Sequence, residues 1–252
     1  MAFKLDDFLM AFKLTYKPFG ERAILIEWDA EINEAILKDI ILLKAKITSK
    51  NIKEIVELKS AYNSLLVSYN YVVKNFENNV KLLNNIYFSQ DIKHDNVSKL
   101  WKIPVCYNEK FGLDLKAVSE EKSMSESDII KCHSDAVYRV YFIGFLPGFL
   151  YLGGLDNKLH IPRKRTPRLQ VEKGAVAIGG NQTGVYPNAS PGGWNIIGNS
   201  PINFFNVSKN QPCFAKTGDR IQFYPITLKE HQDIKILVDA DVYQIESEVL
   251  ND

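Results

Sequence analysis

Residues 137–154 read VYRVYFIGFLPGFLYLGG, and the pattern of the chain changes at this stretch. Residues 137–143 are β-branched and aromatic, which predicts a strand, and glycine and proline then interrupt the sequence repeatedly. Many short strands separated by such turns are typical of a closed barrel or a sandwich. The sequence therefore predicts an all-β domain over residues 136–245. Its further strands are expected at residues 175–178, 194–197, 202–205, 220–224 and 234–238.

The first hundred residues alternate between strand and helix patterns instead. Two helices are predicted, one from Asp29 to about Lys46 and one over residues 72–87, because apolar residues recur there at helical spacing. With four strands, the element order is β-α-β-β-α-β, which is the ferredoxin-like pattern. We expect an α+β ferredoxin-like domain over residues 14–107 and a helical connector over residues 108–135. The strands are expected at residues 23–28, 55–58, 65–69 and 103–107.

The composition argues against several classes of protein. There are 31 basic and 30 acidic side chains, so a net charge of +1 gives no reason to expect nucleic acid or an anionic membrane as partner. Cys106, Cys132 and Cys213 fit neither a disulfide framework nor a CxxC zinc site, and we expect them to be small buried side chains in a reducing cytosol. No apolar run approaches the roughly 18 residues of a membrane span. We expect a cytoplasmic protein.

A pentapeptide is repeated near the beginning of the chain, where residues 1–5 and residues 10–14 both read MAFKL. Asp6 and Asp7 interrupt any hydrophobic core of a signal peptide. One interpretation is that Met10 is the native start and that the residues before it are an extension.

Glycine is concentrated between Gly144 and Gly198, a window that holds 11 of the 14 glycines and five of the ten prolines. This concentration suggests a phosphate loop, but neither G-x-x-x-x-G-K-[ST] nor a helix-opening G-x-G-x-x-G occurs. Residues 179–184, GGNQTG, form either a turn between strands or bare backbone that a ligand approaches. The four histidines lack H-x-x-x-H spacing, so no metal site is predicted. Only His160 lies in the window, as a candidate ligand contact.

Three segments of this window carry side chains suited to binding. Residues 142–154 place aromatic rings between glycine and proline, which makes either a preorganised apolar wall or an aromatic plug of the barrel. Residues 161–169 hold Arg163 and Arg168 beside prolines, and their guanidinium groups suit a carboxylate or phosphate, or else structural salt bridges. Residues 182–187, followed closely by PGGW, combine neutral hydrogen-bonding groups with flat rings, as in a polar pocket or an interface.

In this order, the segments resemble the family of the 5-oxoprolinase B subunit, KipI and the allophanate hydrolase subunit 1 domain. The family pattern runs G-F-x-P-G-F-x-Y-L-G-G, then P-R-x-x-x-P-R, then G-x-V-x-I-x-G-x-Q-T-G-x-Y-P, then S-P-G-G-W-x-x-I-G. The chain departs from the family at Leu113, where proline is expected, and at Asn108 and Glu109, where glycines are expected. The matching residues are 144–154, 162–168, 174–187 and 190–198.

The resemblance implies both a fold and a function. It implies a ferredoxin-like N-terminal domain followed by a cyclophilin-like β-barrel. The implied function is the B subunit of an ATP-dependent 5-oxoprolinase, which opens 5-oxo-L-proline to L-glutamate together with the A and C subunits, the latter related to allophanate hydrolase subunit 2. ATP is the cofactor of the complex, the polypeptide that binds it is left open, and the chain alone is expected to be inactive.

This reaction suggests tasks for the side chains of the window. Opening a lactam requires activation of its carbonyl group and capture of the substrate carboxylate. Arginine could clamp a carboxylate or phosphate, and neutral donors could bind the lactam or an oxyanion. Catalytic roles are therefore predicted for Arg163, Gln182, Thr183 and Tyr186. Substrate or interface contacts are predicted for Phe145, Pro147, Phe149, Tyr151, Arg168, Pro187 and Trp194.

Two other functions are open within the family. KipI-like members bind and inhibit a sensor histidine kinase, and the aromatic and arginine side chains would then form an interface. An accessory subunit related to allophanate hydrolase or urea carboxylase is the other alternative, although nothing in the chain resembles a biotinyl or amidase segment.

Overall fold

The computed structural model describes residues 12–89 and 97–251, which form two compact units. The division between the units falls between residues 94 and 95. Both units mix helices with β-sheet, so the chain has a mixed α/β architecture. Met1 and Met10 lie outside the described residues, and the interpretation of the native start stays a prediction.

The first unit contains a four-stranded antiparallel sheet and two helices. Its elements are β1 (Thr15–Phe19), β2 (Ala23–Glu27), α1 (Glu34–Ser49), β3 (Ile55–Ser60), β4 (Ser64–Tyr69) and α2 (Phe76–Tyr87). The strands lie in the order β1-β2-β4-β3, and each neighbouring pair is antiparallel. Five of these six elements lie where the apolar patterns predicted them, and the exception is β1.

A single apolar core joins the helices of the first unit to its sheet. α1 begins after Asn33, whose side-chain oxygen accepts a hydrogen bond from the Ala35 amide. Asp39 of α1 is buried in this core, and its Oδ2 accepts hydrogen bonds from Trp28 Nε1 at 2.7 Å and from the Tyr87 hydroxyl at 2.9 Å. This carboxylate therefore ties α1 to the residue after β2 and to the last residue of α2. The core side chains include Ile24, Ile26, Ile36, Ile40, Leu43, Leu65, Val67 and Leu83.

The strand expected to complete this sheet lies in the other unit. Residues 103–107 fall after the division between the units, so the prediction that they belong to the first sheet is wrong. β1 takes the edge position beside β2 instead, with Tyr16 opposite Ile26. Its sequence, TYKPF, contains Pro18, which is tolerated at a sheet edge but weakens a strand pattern in the sequence. The ferredoxin-like assignment of this unit stays a prediction.

Among its described residues, the second unit contains three α-helices, a 3-10 helix at Asn157–Leu159 and a larger number of short strands. The α-helices are α3 (Leu115–Lys122), α4 (Glu126–Asp135) and α5 (Leu228–Asp239). The strands are β5 (Val97–Val105), β6 (Val137–Ile143), β7 (Leu150–Gly153), β8 (Arg168–Val171), β9 (Ala175–Gly179), β10 (Gln182–Val185), β11 (Ser190–Gly192), β12 (Asn195–Asn199), β13 (Arg220–Pro225) and β14 (Ser247–Asn251).

These strands form three sheets, in the orders β14-β5-β13-β6-β7, β10-β9-β12 and β11-β8. β5 and β13 are parallel, and the other pairs are antiparallel. Cys106, directly after β5, forms an isolated bridge with Asn199 of β12, and β7 contacts β10. The five-stranded and three-stranded sheets thus contact each other at two places. The cyclophilin-like assignment stays a prediction.

All three α-helices of the second unit contribute side chains to the core that its strands form. α3 and α4 occupy the segment expected as a connector, yet they bury Leu115, Val118 and Ile129 in the same core as the strands. Residues 202–205, predicted as a strand, lie outside any strand. Within the described residues, no helix is both long and apolar enough to cross a membrane.

The prediction of a strand at residues 234–238 is wrong, because these residues lie inside α5. The helix begins with a capping box, in which the Thr227 hydroxyl accepts from the Glu230 amide and the Glu230 carboxylate accepts from the Thr227 amide. A short apolar run such as IKILV fits a strand or a buried helical turn equally well by its pattern. The capping box at Thr227 is the feature that favours a helix over a strand here.

Asp219 joins β5 to the turn that precedes β13. Its side chain is almost fully buried, and its Oδ1 accepts a hydrogen bond from the Lys99 amide at 3.0 Å. Its Oδ2 accepts from Trp101 Nε1 at 2.9 Å and from the Lys216 amide at 3.0 Å. A buried carboxylate that receives three donors is well satisfied. Asp219 therefore positions the two parallel strands against each other.

Replacing Asp219 with alanine should lower the free energy of unfolding by about 2–4 kcal/mol, because two amides and an indole N–H would lose their acceptor. Urea unfolding followed by tryptophan fluorescence measures this change. Asp233→Ala is the control, since Asp233 forms an exposed ion pair with Lys229 on α5 and should alter stability by less than about 1 kcal/mol. Equal losses in the two variants would contradict the role of Asp219.

Candidate functional site

The loop between β6 and β7 is closed by its own backbone. Hydrogen bonds from Gly144 N to Phe149 O, from Leu146 N to Gly144 O and from Phe149 N to Leu146 O measure 3.1, 2.7 and 3.0 Å. Phe145 has a φ of +61°, in the left-handed region that residues with a side chain rarely adopt. Residues with such strained backbone cluster at functional sites. Pro147 is exposed beside it. The loop therefore holds its aromatic side chains in one arrangement.

An aromatic platform is formed by Phe145, Phe149, Tyr151 and Trp194. Phe149 lies at its centre, with ring centroids 5.6 Å from Phe145, 5.0 Å from Tyr151 and 5.7 Å from Trp194. The rings meet edge-on or tilted, which are the favourable geometries for aromatic pairs. Phe145 is 65% exposed, whereas Phe149 and Trp194 are buried. The platform is therefore a packed apolar surface with one ring projecting from it.

Two glycines make room for the rings behind the platform. A Cβ atom at Gly179 would lie 2.5 Å from the Trp194 ring, and one at Gly192 would lie 2.4 Å from the Tyr186 hydroxyl oxygen. Tyr186 is buried, its side chain hydrogen-bonds the Trp194 backbone, and Pro187 after it is buried as well. Tyr186 and Pro187 therefore support the platform from within.

Arg163 is the exposed cation of the platform. Its guanidinium carbon lies 5.5 Å from the centroid of the Trp194 ring, which is a cation–π contact. Burial raises the pKa of the Tyr151 and Tyr186 hydroxyls, and the nearby charge of Arg163 partly counters this rise. Among the described residues, no carboxylate forms an ion pair with Arg163. Its hydrogen-bonding groups are available to an anionic ligand.

Arg168 has a different environment, because it is paired with Asp114. Its Nη1 and Nη2 donate to the two carboxylate oxygens of Asp114 at 2.8 and 2.7 Å, and Lys164 Nζ donates to the same carboxylate at 2.7 Å. Asp114 is 4% exposed and also accepts from the Ile196 amide at 2.7 Å. Burial acts to raise the pKa of Asp114, but the bonds from Arg168, Lys164 and Ile196 outweigh it and lower the pKa. Arg168 thus forms a structural salt bridge.

Thr183 lies at the end of a buried chain of hydrogen bonds. Its hydroxyl donates to the Ala177 carbonyl at 3.1 Å, so it accepts from His133 Nε2 at 2.8 Å. His133 Nδ1 then accepts from the Tyr107 hydroxyl at 2.7 Å, which defines a neutral imidazole protonated on Nε2. The His133 ring stacks on Phe223, with centroids 4.7 Å apart. Thr183 is fully buried, and its hydroxyl has both a donor and an acceptor as partners.

Gln182, at the start of β10, carries an unusual polar atom. Its side-chain oxygen Oε1 is buried and has no hydrogen-bond partner among the described residues. Buried acceptors without partners are rare in native proteins, and each one calls for an explanation such as a catalytic role or a bound water or ion. Its backbone pairs with Gly179, the residue that makes room for the Trp194 ring. Gln182 therefore belongs to the same part of the β10-β9-β12 sheet as the platform.

The predicted site residues fall into two groups in the structure. Phe145, Phe149, Tyr151, Trp194 and Arg163 form one cluster in which Phe145 and Arg163 are exposed, with Pro147 beside Phe145 and Gln182 on the adjoining sheet. Thr183, Tyr186, Pro187 and Arg168 are covered or engaged by other residues. His160, the other candidate, bonds through Nε2 to the Leu155 carbonyl at 3.2 Å. Sequence reasoning missed Asp114 and His133, which carry no local motif and whose partners lie well away in the sequence, 54 residues for Arg168 with Asp114 and 26 and 50 residues for Tyr107 and Thr183 with His133.

No metal site is apparent within residues 12–89 and 97–251, because no group of three or more His, Cys, Asp or Glu side chains is placed to hold an ion. The cysteines Cys106, Cys132 and Cys213 are free, and Cys106 is buried while the other two are partly buried. For ATP, the described residues include no phosphate loop of the kind searched for in the sequence.

Residues 14–215 match the family described as carboxyltransferase domain, subdomain C and D. This match covers most of the chain, and the chain belongs to that family. Within it, the chain is 32% identical to the 5-oxoprolinase B subunit of Bacillus subtilis over 241 residues, which is 90% of this chain and 98% of the relative. It is 39% identical to the 5-oxoprolinase B subunit of Haemophilus influenzae over 171 residues, covering 68% of this chain and 79% of the relative. The resemblance found in the sequence is thereby confirmed.

The fold also occurs in a much larger protein of known structure. The urea amidolyase of K. lactis superposes with a TM-score of 0.79 at 22% identity, over 95% of this chain. The superposed region is only 16% of the urea amidolyase chain. At this level of identity the likeness concerns the fold alone.

Replacing Arg168 with alanine should lower the free energy of unfolding by about 2–3 kcal/mol, because the buried Asp114 carboxylate would lose two charge-assisted hydrogen bonds while keeping those from Lys164 and Ile196. Arg163→Ala, five residues earlier in the same loop, should cost less than about 1 kcal/mol, because Arg163 is exposed. Urea unfolding of both variants measures the difference. Similar costs for the two arginines would show that Arg168 does not have the structural role.

His133 should make stability depend on pH. Burial lowers its pKa to about 3 in the folded chain, from an ordinary value of 6.5. Between these values the unfolded chain binds a proton that the native chain does not, so stability is complete above about pH 6.5 and falls as the pH drops. The expected slope reaches about 1.4 kcal/mol per pH unit.

The measurement is urea unfolding of the wild type and of His133→Gln between about pH 7 and pH 5. The variant should be less stable at pH 7, and its stability should vary less with pH, because glutamine does not titrate. The same pH slope in both proteins would rule out the assigned role of His133.

Proposed function

We propose that this chain is the B subunit of an ATP-dependent 5-oxoprolinase, which hydrolyses 5-oxo-L-proline to L-glutamate together with the A and C subunits. The observation that carries the proposal is the similarity to the B. subtilis relative, which extends over 90% of this chain and 98% of that protein. A match over nearly the full length of both chains favours the same place in the same kind of assembly.

Arg163 and Gln182 are the side chains that we assign to the substrate. The carboxylate of 5-oxoproline suits the exposed guanidinium of Arg163, which has no carboxylate partner among the described residues. The lactam N–H suits the side-chain oxygen of Gln182, which is buried without a donor in the described part of the chain. Phe145 and Trp194 would exclude water from the lactam bond.

Thr183, Tyr186 and Arg168 receive positioning roles in this proposal. The Thr183 hydroxyl is engaged by His133 and Ala177, and the Arg168 fork is engaged by Asp114. Each holds a strand or loop from which Arg163 or Gln182 projects. We therefore assign Thr183 and Tyr186 to positioning, and not to the direct catalytic roles that the sequence predicted.

The exposure of Phe145 supports the presence of a partner protein. Its ring is 65% exposed on a loop with strained backbone, and large exposed aromatic side chains are typical of interaction surfaces. A partner that covers the platform would bury this ring and dehydrate Arg163, which strengthens the hold of Arg163 on an anion. For this reason we expect the chain alone to be inactive, with ATP bound in the complex.

A role in urea processing is the second candidate. The family match to a carboxyltransferase subdomain and the sequence similarity to the urea amidolyase of Saccharomyces cerevisiae favour it. The decisive experiment co-expresses the chain with candidate A and C subunits and measures ATP hydrolysis with 5-oxoproline, with urea and without substrate. Stimulation by 5-oxoproline only in the complete set supports the proposal. Stimulation by urea, or a tight complex with a sensor histidine kinase and no stimulation, would contradict it.

In the reconstituted complex, Arg163→Ala and Gln182→Ala should each reduce 5-oxoproline-dependent ATP hydrolysis by about tenfold or more, because each removes one contact to the substrate. Arg163→Ala should mainly raise KM, since a carboxylate clamp acts on the bound substrate as well as on the transition state. Arg165→Ala is the matched control, an exposed arginine in the same loop. Full activity of both variants in an intact complex would reject the assignment.

A further inference from the structure

The second unit contains a cavity that none of the predicted site residues lines. Its volume is about 530 Å³, within the range of small-molecule sites. The cavity is open to solvent and lies where the start of α5, the end of β12 and the turn between β8 and β9 come together. Its polar lining includes Lys110, Lys173, Ser200, Asn203, His231 and Lys235.

The charges around this cavity are mainly positive. Lys110, Lys173 and Lys235 come from three separate segments, and Glu172 is the only acidic side chain in the lining described. In the described part of the chain, neither Lys110 nor Lys173 forms an ion pair. Lys173 Nζ donates to Asn203 Oδ1 at 2.6 Å, a neutral acceptor that leaves its charge uncompensated. Lys235 Nζ forms an ion pair with Asp239 on α5 at 3.1 Å, so its charge is partly compensated. Lys110 and Lys173 thus supply most of the positive field over the opening.

The inner wall of the cavity contains a polar group without a partner. Ser200 is 2% exposed, and its buried hydroxyl has no hydrogen-bond partner among the described residues. Beside it, His231 Nε2 bonds to Asn199 Oδ1 at 2.9 Å. Burial lowers the pKa of His231, and Lys235 and Lys110 lower it further, so the imidazole is neutral and adds no charge at pH 7. The wall offers hydrogen-bonding groups, and the lysines supply the charge.

The remaining lining gives the cavity apolar sides. Phe111 packs on the His231 ring with centroids 4.5 Å apart, and Ile202 also lines the cavity. Leu228, the first residue of α5, contributes as well. Such a site takes a compact molecule with a charged group at one end and carbon atoms at the other.

We propose that this cavity binds a small organic anion, with its carboxylate or phosphate group held by Lys110 and Lys173. The proposal goes beyond the 5-oxoprolinase assignment, since it involves none of the residues assigned there. It also applies to the chain alone, whereas the proposed enzyme activity requires other subunits. Failure of one is therefore distinguishable from failure of the other.

Isothermal titration calorimetry of the purified chain at low salt tests the proposal. The probes are inorganic phosphate, glutarate and the neutral analogue glutaramide, so that the phosphate and carboxylate sources are distinguished. Binding of phosphate, of glutarate or of both, without binding of glutaramide, supports the site. Absence of binding by both anions, or equal binding of glutaramide, overturns it.

Variants locate the binding in the cavity. Lys173→Gln should weaken binding of the anion about tenfold or more, because one charge-assisted contact is lost. Lys229→Gln is the matched control, since Lys229 lies on α5 but pairs with Asp233 and does not line the cavity. Equal losses of affinity in the two variants would show that general surface charge causes the effect, and they would overturn the proposal. Thermal unfolding of both variants shows that they fold.

Discussion

The buried carboxylate of Asp114 is the constraint around which the binding region of the second unit is organised. It occupies the N-cap position of α3 but makes no cap bond with its side chain, because its oxygens are used by Arg168, Lys164 and the Ile196 amide. A buried charge without partners would cost several kcal/mol, so the loop before β8 must lie where its cations reach Asp114. That same loop then presents Arg163 over the Trp194 ring.

The parts of the fold that could be predicted from sequence are those whose pattern is local. β2, β4, α1 and α2 bury alternating or helically spaced apolar residues, and they lie where the pattern predicts. The failures are elements decided by distant contacts. β1 has a weak pattern and exists because β2 offers an unpaired edge, whereas β5 joins the second unit by parallel pairing with β13, more than a hundred residues later.

In the candidate site, too, local patterns could be predicted from the sequence and distant contacts could not. The aromatic loop and the arginines were found because their motif is continuous, but the motif could not say which arginine is engaged. Arg163 and Arg168 both sit beside proline, and only the position of Asp114, about 50 residues away in the sequence, separates the exposed one from the paired one. The cavity near α5 has no motif at all, because its lysines come from three distant segments.

The contact between Gly179 and Trp194 has a consequence for how such a protein can change over time. Because the ring fills the space that a Cβ atom would need, neither position is free to vary while the other is kept. A larger residue at 179 is acceptable only after the indole has gone, and loss of the indole alone leaves a void and removes the support under Arg163. The two positions are therefore epistatic, and a lineage could leave this arrangement only by passing through a less fit intermediate.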